Sequence, residues 1–106
     1  MTSADEKPAV LISRLLPEPA VALARSRAAV DAYDQDAPMP RAELLKRLRE
    51  RQGLICVISE AIDQALLDSC PKLRVVSNVA VGFNNVDVVA CTKRGVVVTN
   101  TPDVLT

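Results

Sequence analysis

Chemistry needs groups that donate, accept or attack, and this chain lacks one of the most versatile: it has no histidine. A reaction that needs imidazole as acid, base or metal ligand cannot be completed by these residues alone. The remaining candidates fall in three short stretches, each following an apolar run: Ser13-Arg14, Ile58-Ser59-Glu60 and Asn78 to Asn85. The third contains Gly82, whose missing side chain lets backbone N–H groups approach an anion closely, as in carboxylate and phosphate nests. A plainer role is open to the same glycine, a tight turn with positive φ, and the residues alone do not choose. Asn78 and Ser59 divide likewise between touching a ligand and hydrogen-bonding their own loops.

Other reactive types have simpler uses. Asp87 reads as a helix-start charge, and Lys93 with Arg94 as partners of a helix C-terminus, before any of them reads as catalytic. Cys56, Cys70 and Cys91 are an odd number without CxxC spacing, which suits reduced thiols better than a disulfide framework or a metal site. Cys56 and Cys91 fall at core positions, leaving Cys70, near a helix end, as the candidate exposed thiol. With only Gly53, Gly82 and Gly95, neither GxGxxG nor a Walker loop can be written, so no dinucleotide site and no metal site is expected here.

The elements that position these stretches follow from pattern. Val10-Leu11-Ile12 reads as a buried strand ahead of Pro17-Glu18-Pro19, where a helix over 20–28 starts. The alternating 29–33 reads as a half-exposed edge strand. Pro40 opens a helix over 41–51 with Leu44, Leu45 and Leu48 inward, Glu43 and Arg47 at i,i+4, and Gly53 as its C-cap. Leu54 to Ile58 is apolar without alternation, the mark of a strand covered on both faces. Asp63 caps the next helix, with Ile62 and Leu67 spaced as a hydrophobic staple, and that helix ends near Ser69-Cys70-Pro71. Leu73 to Asn78 is the fourth strand. Asn85 is placed to cap a final helix that Gly95 closes before Val96-Val97-Val98.

Alternation of strand and helix through five strands makes a doubly wound parallel sheet the economical fold. We expect a flavodoxin-like α/β sheet of order 2-1-3-4-5, which puts the one alternating strand at an edge. Ligands of such sheets bind beyond the carboxyl ends of the strands, where all three candidate stretches lie.

Composition narrows the class. At 106 residues the chain is one domain, with 49% hydrophobic residues and 13 Lys+Arg against 13 Asp+Glu. That balance favours neither disorder nor attraction to nucleic acid. No window is long and apolar enough for a membrane helix, and the polar, acidic opening is unlike a signal peptide, so a cytoplasmic setting is expected.

The stretch Val75-Val76-Ser77-Asn78-Val79-Ala80-Val81-Gly82-Phe83-Asn84-Asn85-Val86-Asp87, followed by residues Arg94 to Thr106, RGVVVTNTPDVLT, resembles the D-isomer-specific 2-hydroxyacid dehydrogenases. Within them it is most similar to the glyoxylate/hydroxypyruvate reductases. The resemblance implies an N-terminal flavodoxin-like domain that helps bind a small 2-keto or 2-hydroxy acid, and a Rossmann domain that binds NADH or NADPH. It assigns the substrate carboxylate to the backbone amides of Val81 and Gly82, and the pocket wall to Ile58 with Ser59 beside it. The family's arginine and its histidine–glutamate pair belong to the second domain, so no catalytic residue maps onto this chain. The implied layout is a disordered N-terminus over 1–7, the substrate-binding domain over 8–100 and the start of a hinge over 101–106, inactive without the Rossmann domain. A homodimer is also among the partners considered.

The competing class is a non-catalytic flavodoxin-like signalling or association module. A receiver domain wants an acidic pair after strand one and an aspartate after strand three, where Ser13-Arg14 and Ile58-Ser59 stand. A flavin site would stack aromatics, of which there are only Tyr33 and Phe83.

Overall fold

The computed structural model describes residues 7–101. Five strands, β1 (Ala9–Ile12), β2 (Ala29–Ala32), β3 (Gly53–Cys56), β4 (Val75–Asn78) and β5 (Val97–Thr99), alternate with four helices, α1 (Glu18–Arg25), α2 (Arg41–Leu48), α3 (Gln64–Ser69) and α4 (Val88–Lys93). The strands form one sheet of order β2-β1-β3-β4-β5, parallel at every pairing, as the alternation predicts. The alternating strand β2 is indeed at an edge.

Leu11, Leu54, Cys56 and Val76 project from one sheet face into a continuous core with Leu44 and Leu48 of α2, Leu66 and Leu67 of α3, and Ala90 and Cys91 of α4. Met39, from the loop between β2 and α2, joins them. On the other face coverage is thinner: Ile12 is buried, Ile55 and Ser77 are half-buried, and Val75 and Val97 are exposed. Strand β3 is thus covered fully on one side only.

Several local expectations are met by specific bonds. Asp63 caps α3, its carboxylate accepting the Leu66 N–H at 3.0 Å. Gly95 (φ +71°) closes α4 in a left-handed conformation that glycine adopts without steric cost. The Gly95 N–H then donates to Thr92 O at 3.1 Å and the Val96 N–H to Cys91 O at 2.9 Å, the paired bonds of a Schellman motif.

Three expectations are corrected. Gly53 is not a helix cap: α2 stops at Leu48, and Gly53 begins β3, where an added Cβ would lie 3.1 Å from Val10 Cγ2. Close sheet packing, not a left-handed turn, explains this glycine. Asp87, not Asn85, caps α4, accepting the Ala90 N–H at 3.0 Å. Cys70 is buried at 2% exposure, against the core formed by Leu67 and Leu73. Residues 1–6 and 102–106, which include most of the expected disordered terminus and hinge, lie outside the described residues.

Edge strand β2 is locked to α2 by charge. Arg47 donates to both oxygens of Asp31, at 2.6 and 3.0 Å, and Nη1 reaches Glu43 at 2.7 Å. Arg51 adds a bond to Asp31 at 3.2 Å, and the Arg47 guanidinium lies 5.5 Å from the Tyr33 ring centroid. The Arg47 bonds hold the Asp31 carboxyl below its usual range, against the opposing effect of partial burial. A depressed folded-state pKa contributes stability above the unfolded value of about 3.9 and loses it as pH falls through the folded value. Asp31→Asn is therefore expected to lower stability by about 1 kcal/mol near neutrality, with the deficit shrinking as pH falls below about 3.9. Urea midpoints across pH check this; a deficit constant down to pH 2 would mean that packing, not charge, is lost.

Candidate functional site

Parallel strands of this sheet end at one edge, and there β3 and β4 each release a loop. After β3 the chain turns at Ile58-Ser59, closed by the Glu60 N–H donating to Val57 O at 3.2 Å. Strand β3 ends two residues before Ile58, so Ile58 stands in the turn and not in the strand; its side chain is 52% exposed. After β4 the loop runs from Val79 to Val86, with Val81 60% exposed and Phe83 half-exposed.

The two loops are sewn together. Ile62 and Val86 form a parallel bridge, in which the Ile62 N–H donates to Asn85 O at 2.8 Å and the Asp87 N–H to Ile62 O at 2.9 Å. Asn85 Nδ2 donates to Glu60 O at 2.8 Å, and the Val79 N–H donates to Cys56 O at 2.7 Å. All four residues assigned by resemblance, Ile58, Ser59, Val81 and Gly82, thus lie on two mutually anchored loops at the carboxyl edge.

Asn78, fully buried at the end of β4, is the keystone. Its Nδ2 donates to Asn85 Oδ1 at 2.9 Å, while Asn85 Nδ2 donates back to Asn78 Oδ1 at 3.2 Å. Asn78 Nδ2 also donates to Gly82 O at 3.1 Å. Of the two roles open to Asn78, the structure shows the loop-holding one. Pairing with Asn78 also explains why Asn85 is unavailable as a helix cap.

Gly82 does not have positive φ, and an added Cβ would meet nothing within 4 Å. The tight-turn role is therefore removed: what the missing side chain leaves is open space before the loop. Among the described residues, the N–H groups of Val81 and Gly82 donate to no acceptor. Such unpaired amides, beside an α-carbon without a side chain, have the chemistry of an anion contact.

Ser59 is engaged. Its hydroxyl accepts from Arg14 Nη2 at 2.6 Å and donates to Glu60 Oε2 at 2.9 Å. Glu60 is buried, with Oε1 unpartnered among the described residues, as is Arg14 Nε. The expected strand order brings these two stretches to one edge, but the bonds joining Arg14, Ser59 and Glu60 span up to 45 positions and were not legible. Ser13 is buried, its N–H bonded to Ile55 O at 3.0 Å. Asp87 is a cap and Arg94 pairs with Asp68, so neither serves the site.

The hollow beside the loop, lined by Phe83, Val88, Val98 and Asn100, measures about 160 Å³. Enclosed small-molecule sites usually hold roughly 300–1,000 Å³. The two anchored loops leave the apolar side chains of Ile58, Val81 and Phe83 uncovered. No group of three or more His, Cys, Asp or Glu residues suited to a metal occurs among the described residues. Nor do the three glycines build a dinucleotide cradle, since Gly53 packs in β3 and Gly95 caps α4.

A doubly wound parallel α/β domain, with two anchored loops at the carboxyl edge of its sheet, is the class that the fold defines. The family model for the D-isomer specific 2-hydroxyacid dehydrogenase catalytic domain matches residues 10–106, and the chain belongs to that family. It is 44% identical over 100 residues to a glyoxylate reductase of Thermococcus gammatolerans and 42% identical to one of Thermococcus kodakarensis, covering 94% of this chain. The match spans only 30% of the length of each. Among solved structures it resembles a protein of Thermus thermophilus (TM-score 0.82, 37% identity, 92% of this chain and 32% of that one). It also resembles an NADPH-dependent glyoxylate/hydroxypyruvate reductase of Sinorhizobium meliloti in complex with NADP and malonate (TM-score 0.69, 29% identity, 95% and 30%).

Burial sets the state of the thiols. Desolvation, reinforced by the charge of Glu60, pushes the Cys56 thiol up to about 12, and burial also raises Cys70 and Cys91. Because the thiolate is the reacting form, a thiol reagent at pH 8 should label none of the three in the native chain and all three in urea. Mass spectrometry counts the adducts; rapid native labelling of Cys70 would mean that its packing is wrong.

Proposed function

We propose that this chain is the substrate-binding part of an NAD(P)-dependent 2-hydroxyacid dehydrogenase that reduces glyoxylate or hydroxypyruvate to the D-2-hydroxy acid. The observation that carries it is the pair of amides at Val81 and Gly82 at the carboxyl edge, which have no acceptor among the described residues. They bind the substrate carboxylate, Ile58 forms an apolar wall, and Ser59 stands beside it in the same turn. Holding the carboxylate fixes the keto carbon relative to the rest of the enzyme, an orientational contribution to rate.

This chain's residues do not fit the cofactor, so we assign NADH or NADPH, together with the acid that protonates the developing alkoxide, to a Rossmann domain outside it. Residues 8–100 then form the substrate-binding domain, 101–106 lead to the hinge, and the setting is cytoplasmic. Glyoxylate as substrate is supported by the names of the relatives at 42% and 44% identity. The exposed Ile58, Val79, Val81 and Phe83 suit a face that a second domain covers.

The pure chain is expected to show no turnover of glyoxylate or hydroxypyruvate with either reduced cofactor; measurable reduction would overturn the assignment of the reactive groups elsewhere. Oxalate, a small dicarboxylate, should shift the amide resonances of Val81 and Gly82 saturably. Gly82→Val should abolish those shifts while changing stability by less than about 0.5 kcal/mol, because its side chain enters open space. Binding unchanged in the folded variant would exclude the amides as the anion contact.

A further inference from the structure

An amide can grip an anion only if its N–H is aimed, and in a trans peptide the N–H of one residue points opposite to the carbonyl of the residue before. Whatever holds the carbonyls of Ala80 and Val81 therefore aims the N–H groups of Val81 and Gly82. Both carbonyls are held from the end of β5. The Thr101 N–H donates to Ala80 O at 2.9 Å, and Asn100 Nδ2 donates to Val81 O at 2.6 Å. The next carbonyl, Gly82 O, is held by Asn78 Nδ2 at 3.1 Å. Three consecutive peptide planes are thus fixed by three donors.

We infer that Asn100 is a positioning residue, whose side-chain amide aims the Gly82 N–H at the bound carboxylate by holding the Val81 carbonyl. The inference rests on Val81 and Gly82 being the carboxylate contact. Asn100 differs from Asn78 in a way that makes it testable. Asn78 is fully buried and shares its amide with Asn85, so its loss disturbs the whole edge. Asn100 is half-buried, and its side chain spans from β5 to the loop. Without that bond the Val81–Gly82 peptide is free to rotate. An anion must then pay for ordering it, which weakens binding without removing any contacting group.

The test uses the whole 106-residue chain, ¹⁵N-labelled and titrated with oxalate. Asn100→Leu keeps similar bulk but has no donor, and should raise the half-saturation concentration about tenfold, with a melting temperature within a few degrees of the parent. Asn100→Gln restores an amide donor and should return to within about threefold of the parent. A leucine variant that binds like the parent overturns the positioning role, and so does a glutamine variant as weak as leucine. If the parent itself shows no saturable shift at Val81 and Gly82, the carboxylate assignment fails first and the inference with it. Parent binding with an unaffected leucine variant overturns the inference alone.

Discussion

Two side-chain amides that bond to each other inside the carboxyl edge govern this structure's functional end. Asn78 and Asn85 satisfy one another's donors and acceptors in a place where an unmade hydrogen bond would cost roughly 1–3 kcal/mol. Each then spends its remaining capacity on a loop: Asn78 on the carbonyl of Gly82, Asn85 on the carbonyl of Glu60. One buried pair thereby sets the conformation of both loops.

The consequence is a division between what the fold occupies and what it leaves free. Carbonyls of the loop after β4 turn toward the protein and are held, while the amides of Val81 and Gly82 meet no acceptor among the described residues. Unspent donors on a loop whose carbonyls are held are what the proposed carboxylate contact requires, since little ordering would then remain on binding.

Legibility followed the range of the interactions. Strand order, the edge position of β2, the Asp63 cap, the Glu43–Arg47 pair and the Gly95 closure were readable because each depends on residues within a few positions or on hydrophobic period. Gly53 misled because a glycine just past a helix is usually a cap; its real constraint comes from Val10, 43 positions away across the sheet. Asn85 and Asp87 are both competent caps, and only the distant claim of Asn78 on Asn85 decides between them. Burial of Cys70 and Glu60 likewise depends on elements that sequence does not show to be adjacent. For Gly82 and Ser59 the residues left two readings open, and the roles of Val81 and Ile58 were readable only through resemblance. The structure adds their placement and the unpaired amides, which is the ground for proposing those roles.

Hydrogen exchange resolved at individual nitrogens tests the frame most directly, because it reads held and unheld donors in one spectrum. The side-chain NH₂ protons of Asn78 should exchange slowly, like core amides, while the backbone protons of Val81 and Gly82 exchange near the rate of an unprotected chain. An Asn78 side chain that exchanges freely, or slow exchange at Val81 and Gly82 without any anion present, would contradict a loop held through its carbonyls with its N–H groups left open.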